Sequence, residues 1–339
     1  MLPKVAMILM SLALLVSGVE QARAGSTLEG VRARGAILCG VGPSFVGFSR
    51  VDEQGVWSGF DVDLCRALAA AVLGDSQRVK FLQLSPQSQF PALNRREIDV
   101  LMRGASWTLL RDATFHIEFT GVTFYDAQGF MVRADSGING LDDIGQHKVC
   151  VQVGTGAAYS MNDYLQRTGK TLSLLMLNSL EETKMAFFTG RCDVYADLVS
   201  TLASLRTSDA LRPQEYKILG ETIAREPRSP AVRDDDPDWI NLVRWTLMGL
   251  LLAEQNSITS ANVDQHVNDL DGEVSRLLGG TPGMGIALGL DDGWGAHVVR
   301  QVGNYGEIYE RNVGHPLGLP RGLNALWTQG GLMYPLLFH

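Results

Sequence analysis

Arg111 follows Ser106, Trp107 and Thr108 in the stretch that succeeds the apolar run IDVLM at 98–102. Open parallel sheets bind ligands beyond the carboxyl ends of their strands, and a guanidinium fork placed there can hold a carboxylate through two parallel hydrogen bonds. The other reading of Arg111 is a surface cation paired with Asp112. A second anion seat is offered by Gly154-Thr155-Gly156, which follows the run KVCVQV and opens a helical stretch. Backbone N–H groups at such a helix N-terminus form a nest for negative charge, and Thr155 can add its hydroxyl. The block lacks the third glycine of a dinucleotide fingerprint. The six histidines are scattered without an HExxH pattern, and neither GxxxxGK[ST] nor GxSxG occurs. Nucleotide hydrolysis and serine-hydrolase chemistry therefore find no support. The acidic groups Asp142-Asp143, Glu181-Glu182 and Asp234-Asp235-Asp236 read as helix-start or loop charges rather than as an acid–base pair.

These residues need strands and helices to position them. The run AILCGV at 36–41 reads as a buried strand, and Asp61 reads as the cap of a helix bearing Val62, Cys65, Ala69 and Val72 at spacings of three and four. VKFLQL at 79–84, a helix over 87–94 and IDVLM extend the alternation. A second set comprises KVCVQV at 148–153, a helix over 157–166, LSLLML at 172–177, a helix over 180–188 and the strand DVYA from Asp193. Two βαβ series predict an α/β fold of two lobes with mostly parallel sheets. Extended segments at 129–146 and 226–233 bracket the second set, so the chain is expected to leave lobe one and return, with a cleft between hinged lobes. The expected division is 25–131 plus 232–339 for lobe one, with a C-terminal helical extension, and 132–231 for lobe two. Helices are expected at 239–254, 263–278 and 294–311.

The 339 residues are 45% hydrophobic and 19% charged, with 37 acidic against 29 basic residues and a net charge of −8. No Lys/Arg cluster supplies the footprint that nucleic acid or an anionic membrane requires, so the expected partner is a small molecule or another protein. Lys4, the apolar run Val5–Val16 and the exit Ala22-Arg23-Ala24 form a secretory signal with an A-x-A site. The run falls short of the roughly 20 apolar residues that span a bilayer. Cleavage after Ala24 removes Lys4, Glu20 and Arg23, moving the net charge from −8 to −9. In an exported chain the economical pairing of the four cysteines is Cys39 with Cys65 and Cys150 with Cys192, each within one lobe. Four cysteines allow three connectivities, and buried free thiols remain a reading of the first pair. No CxxC occurs and no metal is expected.

The segments GFDVDLCRALAAAV at 59–72, NRREIDVLM, WTLLRD and GRCDVYAD at 190–197 resemble the polar-amino-acid family of periplasmic solute-binding proteins that serve ABC importers. FYDAQGFMVR, VCVQVGT, EPRSPAVR, VGNYGEIYERNVG and RGLNALW narrow the likeness to general L-amino-acid-binding proteins. The resemblance implies a type II clamshell joined by two hinge strands, without catalysis or cofactor. Such a protein, expected as a monomer, closes on an amino acid or related carboxylate in the periplasm and docks on an inner-membrane permease. It further implies that Arg111 holds the ligand carboxylate, that Ser106 and Thr108 add donors, and that Phe45 is an aromatic lid. Relatives carry the ammonium-binding aspartate five residues after the Asp of the G-R-x-D strand. Here that position is Leu198, with Asp197 one residue earlier, and on a strand this offset turns the carboxylate to the opposite face. Gly104 and Ala105 also replace the usual Asn and Thr. Two alternatives stand beside this reading: a clamshell enzyme such as a periplasmic dehydratase, which needs a general acid in the cleft, and a ligand-binding subunit that reports to a chemoreceptor.

Overall fold

The structure, a computed structural model, describes residues 27–42, 45–269 and 272–339. The expected leader, with its cleavage after Ala24, lies outside the described residues. Among the described residues no helix is long and apolar enough to cross a membrane.

In chain order the first elements are α1 (Thr27–Arg34), β1 (Ile37–Val41), β2 (Arg50–Val51), β3 (Trp57–Ser58), α2 (Phe60–Leu73), β4 (Val79–Gln83), α3 (Gln89–Asn94), β5 (Val100–Ser106), α4 (Leu109–Thr114), β6 (Ile117–Phe119) and β7 (Phe124–Arg133). They are followed by β8 (Lys148–Gln152), α5 (Gly156–Thr168), β9 (Ser173–Leu177), α6 (Leu180–Phe188), β10 (Val194–Leu198), α7 (Val199–Ser208), β11 (Tyr216–Ile218), β12 (Ala224–Arg233) and α8 (Pro237–Gln255). The main sheet runs β4-β1-β5-β12-β7-β10-β8-β9, with β6 on β12 and β11 on β7. Its flanks are parallel, β4-β1-β5 on one side and β10-β8-β9 on the other. Two ten-residue strands lie antiparallel at the centre, with Arg228 of β12 opposite Phe124 of β7 and Ala224 opposite Gln128. The chain crosses between the flanks on these two strands.

Each flank buries its own apolar side chains. On one side α2, α8 and the helix Trp294–Val302 pack into a common core that includes Phe60, Leu68, Trp239 and Val299. On the other side the period-two pleat of the strands sorts their side chains. Phe130, Val132, Val149, Val151, Val194 and Ala196 meet Met161 and Tyr164 of α5, while Met131, Cys150 and Tyr195 meet Phe187 of α6 and Leu202 of α7. Both cysteine pairs are bonded, Cys39–Cys65 with Cα atoms 6.3 Å apart and Cys150–Cys192 with Cα atoms 5.8 Å apart.

Several local expectations shift. Helix α2 begins at Phe60 with Gly59 as its cap residue, so Asp61 lies inside the first turn and caps nothing. Gly59 has φ 131°, and a Cβ there would sit 2.1 Å from the Phe48 carbonyl oxygen, a position only glycine can take. The first crossing starts at Phe124, ahead of the expected Gly129, and ends at Arg133; the remainder to Gln146 holds a turn and a 3₁₀ segment, Leu141–Gln146. The second crossing extends two residues further toward the N-terminus, to Ala224. The expected helix 294–311 stops at Val302, where Gly303 takes φ 91°, and restarts at Tyr305 behind an Asn304–Glu307 capping box. Within 263–278 the described helices are Val263–His266 and Gly272–Leu278.

Candidate functional site

A cavity of about 160 Å³ opens where the two flanks face each other across the central strands. From the β1-β5 side it is lined by Gly42, Phe45, Phe48, Ser49, Asp61, Arg103 and Gly104; from the β10 side by Leu198, Ser200 and Thr201; Arg228 of β12 lies between. Its charged groups are two arginines from the interiors of β5 and β12 and one carboxyl group from the first turn of α2.

Arg228 is 8% exposed and forms an ion pair with Asp126 of β7 at 2.9 Å, while its guanidinium lies over the rings of Phe48 and Phe124 at 5.0 and 5.8 Å. Asp126 also accepts from the hydroxyl of Ser200 at 2.5 Å and from the Ser200 amide at 3.3 Å, so the first turn of α7 is tied to the central strands. The Nε of Arg228 is buried without a hydrogen-bond partner. Gly104, with φ 60°, is what lets the arginine lie against β5: a Cβ there would come within 3.2 Å of Arg228 Cδ and Nη1.

Arg103 donates through Nε to the carbonyl of Leu84 at 2.8 Å and through Nη1 to Gln89 Oε1 at 3.4 Å. Burial pulls its pKa down to about 10, although the Asp61 charge favours the cation and Arg111 and Arg228 oppose it. Asp61 is 6% exposed. Burial pushes its carboxyl up to about 7, with Arg228 and then Arg103 pulling the other way. With Arg228 compensated by Asp126, the cavity presents the Arg103 cation beside one desolvated acid, Asp61. Such a set suits a ligand carrying a carboxylate together with a cation or donor.

Of the residues singled out by sequence, Phe45 and Leu198 line this cavity, whereas Ser106, Thr108, Arg111, Gly154, Thr155 and Asp197 stand outside its lining. Arg111 lies in α4, donates from Nη1 to the Ser106 carbonyl at 2.9 Å and sits over the Phe90 ring at 5.9 Å. Burial lowers its pKa while Glu226 raises it, so it senses the hinge strand but makes no ion pair with Asp112 within 4.0 Å. Ser106 sits opposite Arg228 in the β5–β12 ladder, and Thr108 caps α4 by accepting from the Arg111 amide at 3.3 Å. Gly154, with φ 73°, precedes Thr155, which caps α5 by accepting from the Ala158 amide at 3.3 Å. A Cβ at the next residue, Gly156, would come within 3.1 Å of both Gln128 Nε2 and Glu226 Oε1, so this helix start abuts the central strands. Asp197, near the end of β10, accepts from the Leu198 amide at 2.7 Å and is pushed up to about 6 chiefly by burial, with Asp126 and Glu226 raising it further and Arg228 opposing.

Asp61, Arg103, Arg228, Ser200 and Thr201 escaped the sequence reading. Arg103 directly follows IDVLM and Arg228 stands inside the extended segment EPRSPAVR, so the rule that ligands gather at strand ends and hinges could have found both. Asp61 was masked by its resemblance to a helix cap.

The profile of the bacterial extracellular solute-binding proteins, family 3, matches residues 37–256. The general L-amino acid-binding periplasmic protein AapJ of Rhizobium johnstonii is 42% identical over 326 residues, covering 95% of both chains. The glutamate/glutamine/aspartate/asparagine-binding protein BztA of Rhodobacter capsulatus is 40% identical, covering 96% of both. A solved ABC transporter periplasmic binding protein from Brucella ovis with glutathione bound superposes with a TM-score of 0.87 at 40% identity, covering 93% of this chain and 99% of that one. With motifs, sheet order and cleft in agreement, the chain belongs to the bacterial extracellular solute-binding proteins, family 3.

Proposed function

We propose that this protein is exported to the periplasm, its leader removed after Ala24, and that it serves an ABC importer as the substrate-binding component. Its two lobes, 25–131 plus 232–339 and 132–231, close by hinging on β7 and β12 over an L-amino acid or a related small carboxylate, and the closed form delivers the ligand to the permease. The observation that carries this reading is the cavity between the flanks with Arg103, Arg228 and Asp61 on its wall. The names of the two curated relatives place amino acids, and that of the Brucella ovis structure glutathione, within the ligand range to test. Arg111, Ser106, Thr108, Gly154 and Thr155 fringe the same cleft as anion-binding groups that closure would bring to the ligand carboxylate. Ligand contacts stronger in the closed form shift the open–closed equilibrium toward it.

Calorimetry of the purified mature chain with L-amino acids, glutathione and small dicarboxylates tests the proposal. Saturable binding of one of them at 1:1 is the expected result, and no binding across the panel overturns it. One observation favours the dehydratase alternative: Asp61 is a carboxyl of the kind a general acid requires, pushed up to about 7 inside the cleft. NMR of the recovered ligand separates the readings, since a binding protein returns it unchanged.

A further inference from the structure

Leu198 lines the cavity from the β10 side, leaving that wall without an acid. The nearby acid, Asp197, is not in the lining, is engaged by its neighbour's amide, and is repelled by Asp126 and Glu226. Asp126 is committed to Arg228 and Ser200. Asp61 differs from both. It is more than nine-tenths buried and lines the cavity, yet no hydrogen bond or ion pair within 4.0 Å reaches its carboxylate among the described residues. A buried acid with no donor is costly unless something supplies one. The neighbouring cations do not fill the role: Arg228 faces Asp126, and Arg103 donates to Leu84 and Gln89. The position is imposed by the fold, because Gly59 holds the start of α2 hard against the Phe48 carbonyl and the Asp61 amide donates back to that oxygen at 3.0 Å.

We infer that Asp61, in the first turn of α2, is the seat of the ligand's amino group. The site thus accepts a zwitterion whose ammonium points at α2 and whose carboxylate points at the arginines. This rests on the reading above that the cavity binds an amino acid or related small carboxylate. Leu198 then offers an apolar surface on the β10 wall.

The test pairs each amino acid that binds with its own des-amino acid, such as L-glutamate with glutarate or L-leucine with 4-methylpentanoate, by calorimetry on the full mature chain. Wild-type protein is expected to favour the amine-bearing partner by roughly 10- to 100-fold, the range for a charge-assisted contact to a buried group. Asp61→Asn should cut that preference to about threefold or less while changing the des-amino acid's affinity less than about threefold, and adding Leu198→Asp to it should restore a preference of about tenfold. An unchanged preference in Asp61→Asn, or an equal loss for both probes, overturns the assignment. Leu198→Asp alone leaves Asp61 in place and gives a reading that does not depend on the folding of Asp61→Asn. If Asp61 already holds the amine, this variant tightens the amino acid by no more than about threefold, whereas a gain of tenfold or more shows the amine was unseated and overturns it. A wild-type protein that binds with no amine preference defeats this inference only; one that binds no amino acid defeats the functional reading with it.

Discussion

Asp61 carries a pH signature that follows from its surroundings. Its folded-state pKa stands at about 7 against 3.8 for the free side chain, because burial outweighs the pull of Arg228 and Arg103. The folded protein therefore binds this proton more tightly than the unfolded chain, so the stability it contributes is complete below about pH 4 and is lost as the pH rises through about 7. Each tenfold difference in proton affinity between the two states is worth about 1.4 kcal/mol. Asp61→Asn should accordingly stabilise the ligand-free protein at pH 8 by a few kcal/mol at most and leave it unchanged at about pH 3.5. Urea unfolding at the two pH values checks this, and an equal effect at both would refute it. Arg228 behaves in the opposite sense. Removing one partner of its buried pair with Asp126 leaves the other charge uncompensated, so Arg228→Met should cost about 3–5 kcal/mol, whereas a double replacement with Asp126→Leu should recover part of that loss in the same unfolding measurement. Neither role was legible in the sequence, since a burial of 6% or 8% depends on what packs over the residue rather than on its neighbours in the chain.

At the level of elements, local signals decide helix starts and tertiary packing decides their use. Thr155 caps α5 through the Ala158 amide, so Thr155→Ala should destabilise the protein by about 1 kcal/mol and also weaken carboxylate binding if the α5 start meets the ligand; thermal unfolding and calorimetry separate the two effects. One disulfide ties β1 to α2, and the other ties β8 to the turn that leads into β10. Their sequence separations of 26 and 42 residues correspond to about 3.5 and about 4 kcal/mol in the chain-entropy description. Cys150→Ser with Cys192→Ser should therefore lower stability at least as much as Cys39→Ser with Cys65→Ser, by urea unfolding under oxidising conditions. The sequence paired the cysteines correctly because Cys39, Cys65 and Cys150 sat on recognisable strands or helices, while Cys192 lies in the turn just ahead of β10. It misplaced the end of the helix after Trp294, because the apolar periodicity continues through Gly303 while the backbone takes φ 91° there.

For the whole molecule, two antiparallel strands lie between two parallel flanks, and they are the axis of the closure proposed above. A ligand at about 100 times its dissociation constant should stabilise the protein by about 2.7 kcal/mol, and closure should lower the radius of gyration measured by X-ray scattering; a thermal shift without compaction would argue against hinge bending. Period-two and period-3.6 patterns determined the order of strands and helices and the separation into two βαβ sets, and motifs such as GFDVDLCRALAAAV and EPRSPAVR carried the family likeness, because these properties reside in short windows of chain. Tertiary structure alone decided which side chains share the cavity. Asp61, Arg103, Leu198, Ser200 and Arg228 come from segments distant in sequence, and they meet only through the strand order and the phase of each pleat. A shift of one residue on β10 separates Leu198, which lines the cavity, from Asp197, which does not, since successive strand side chains alternate in direction.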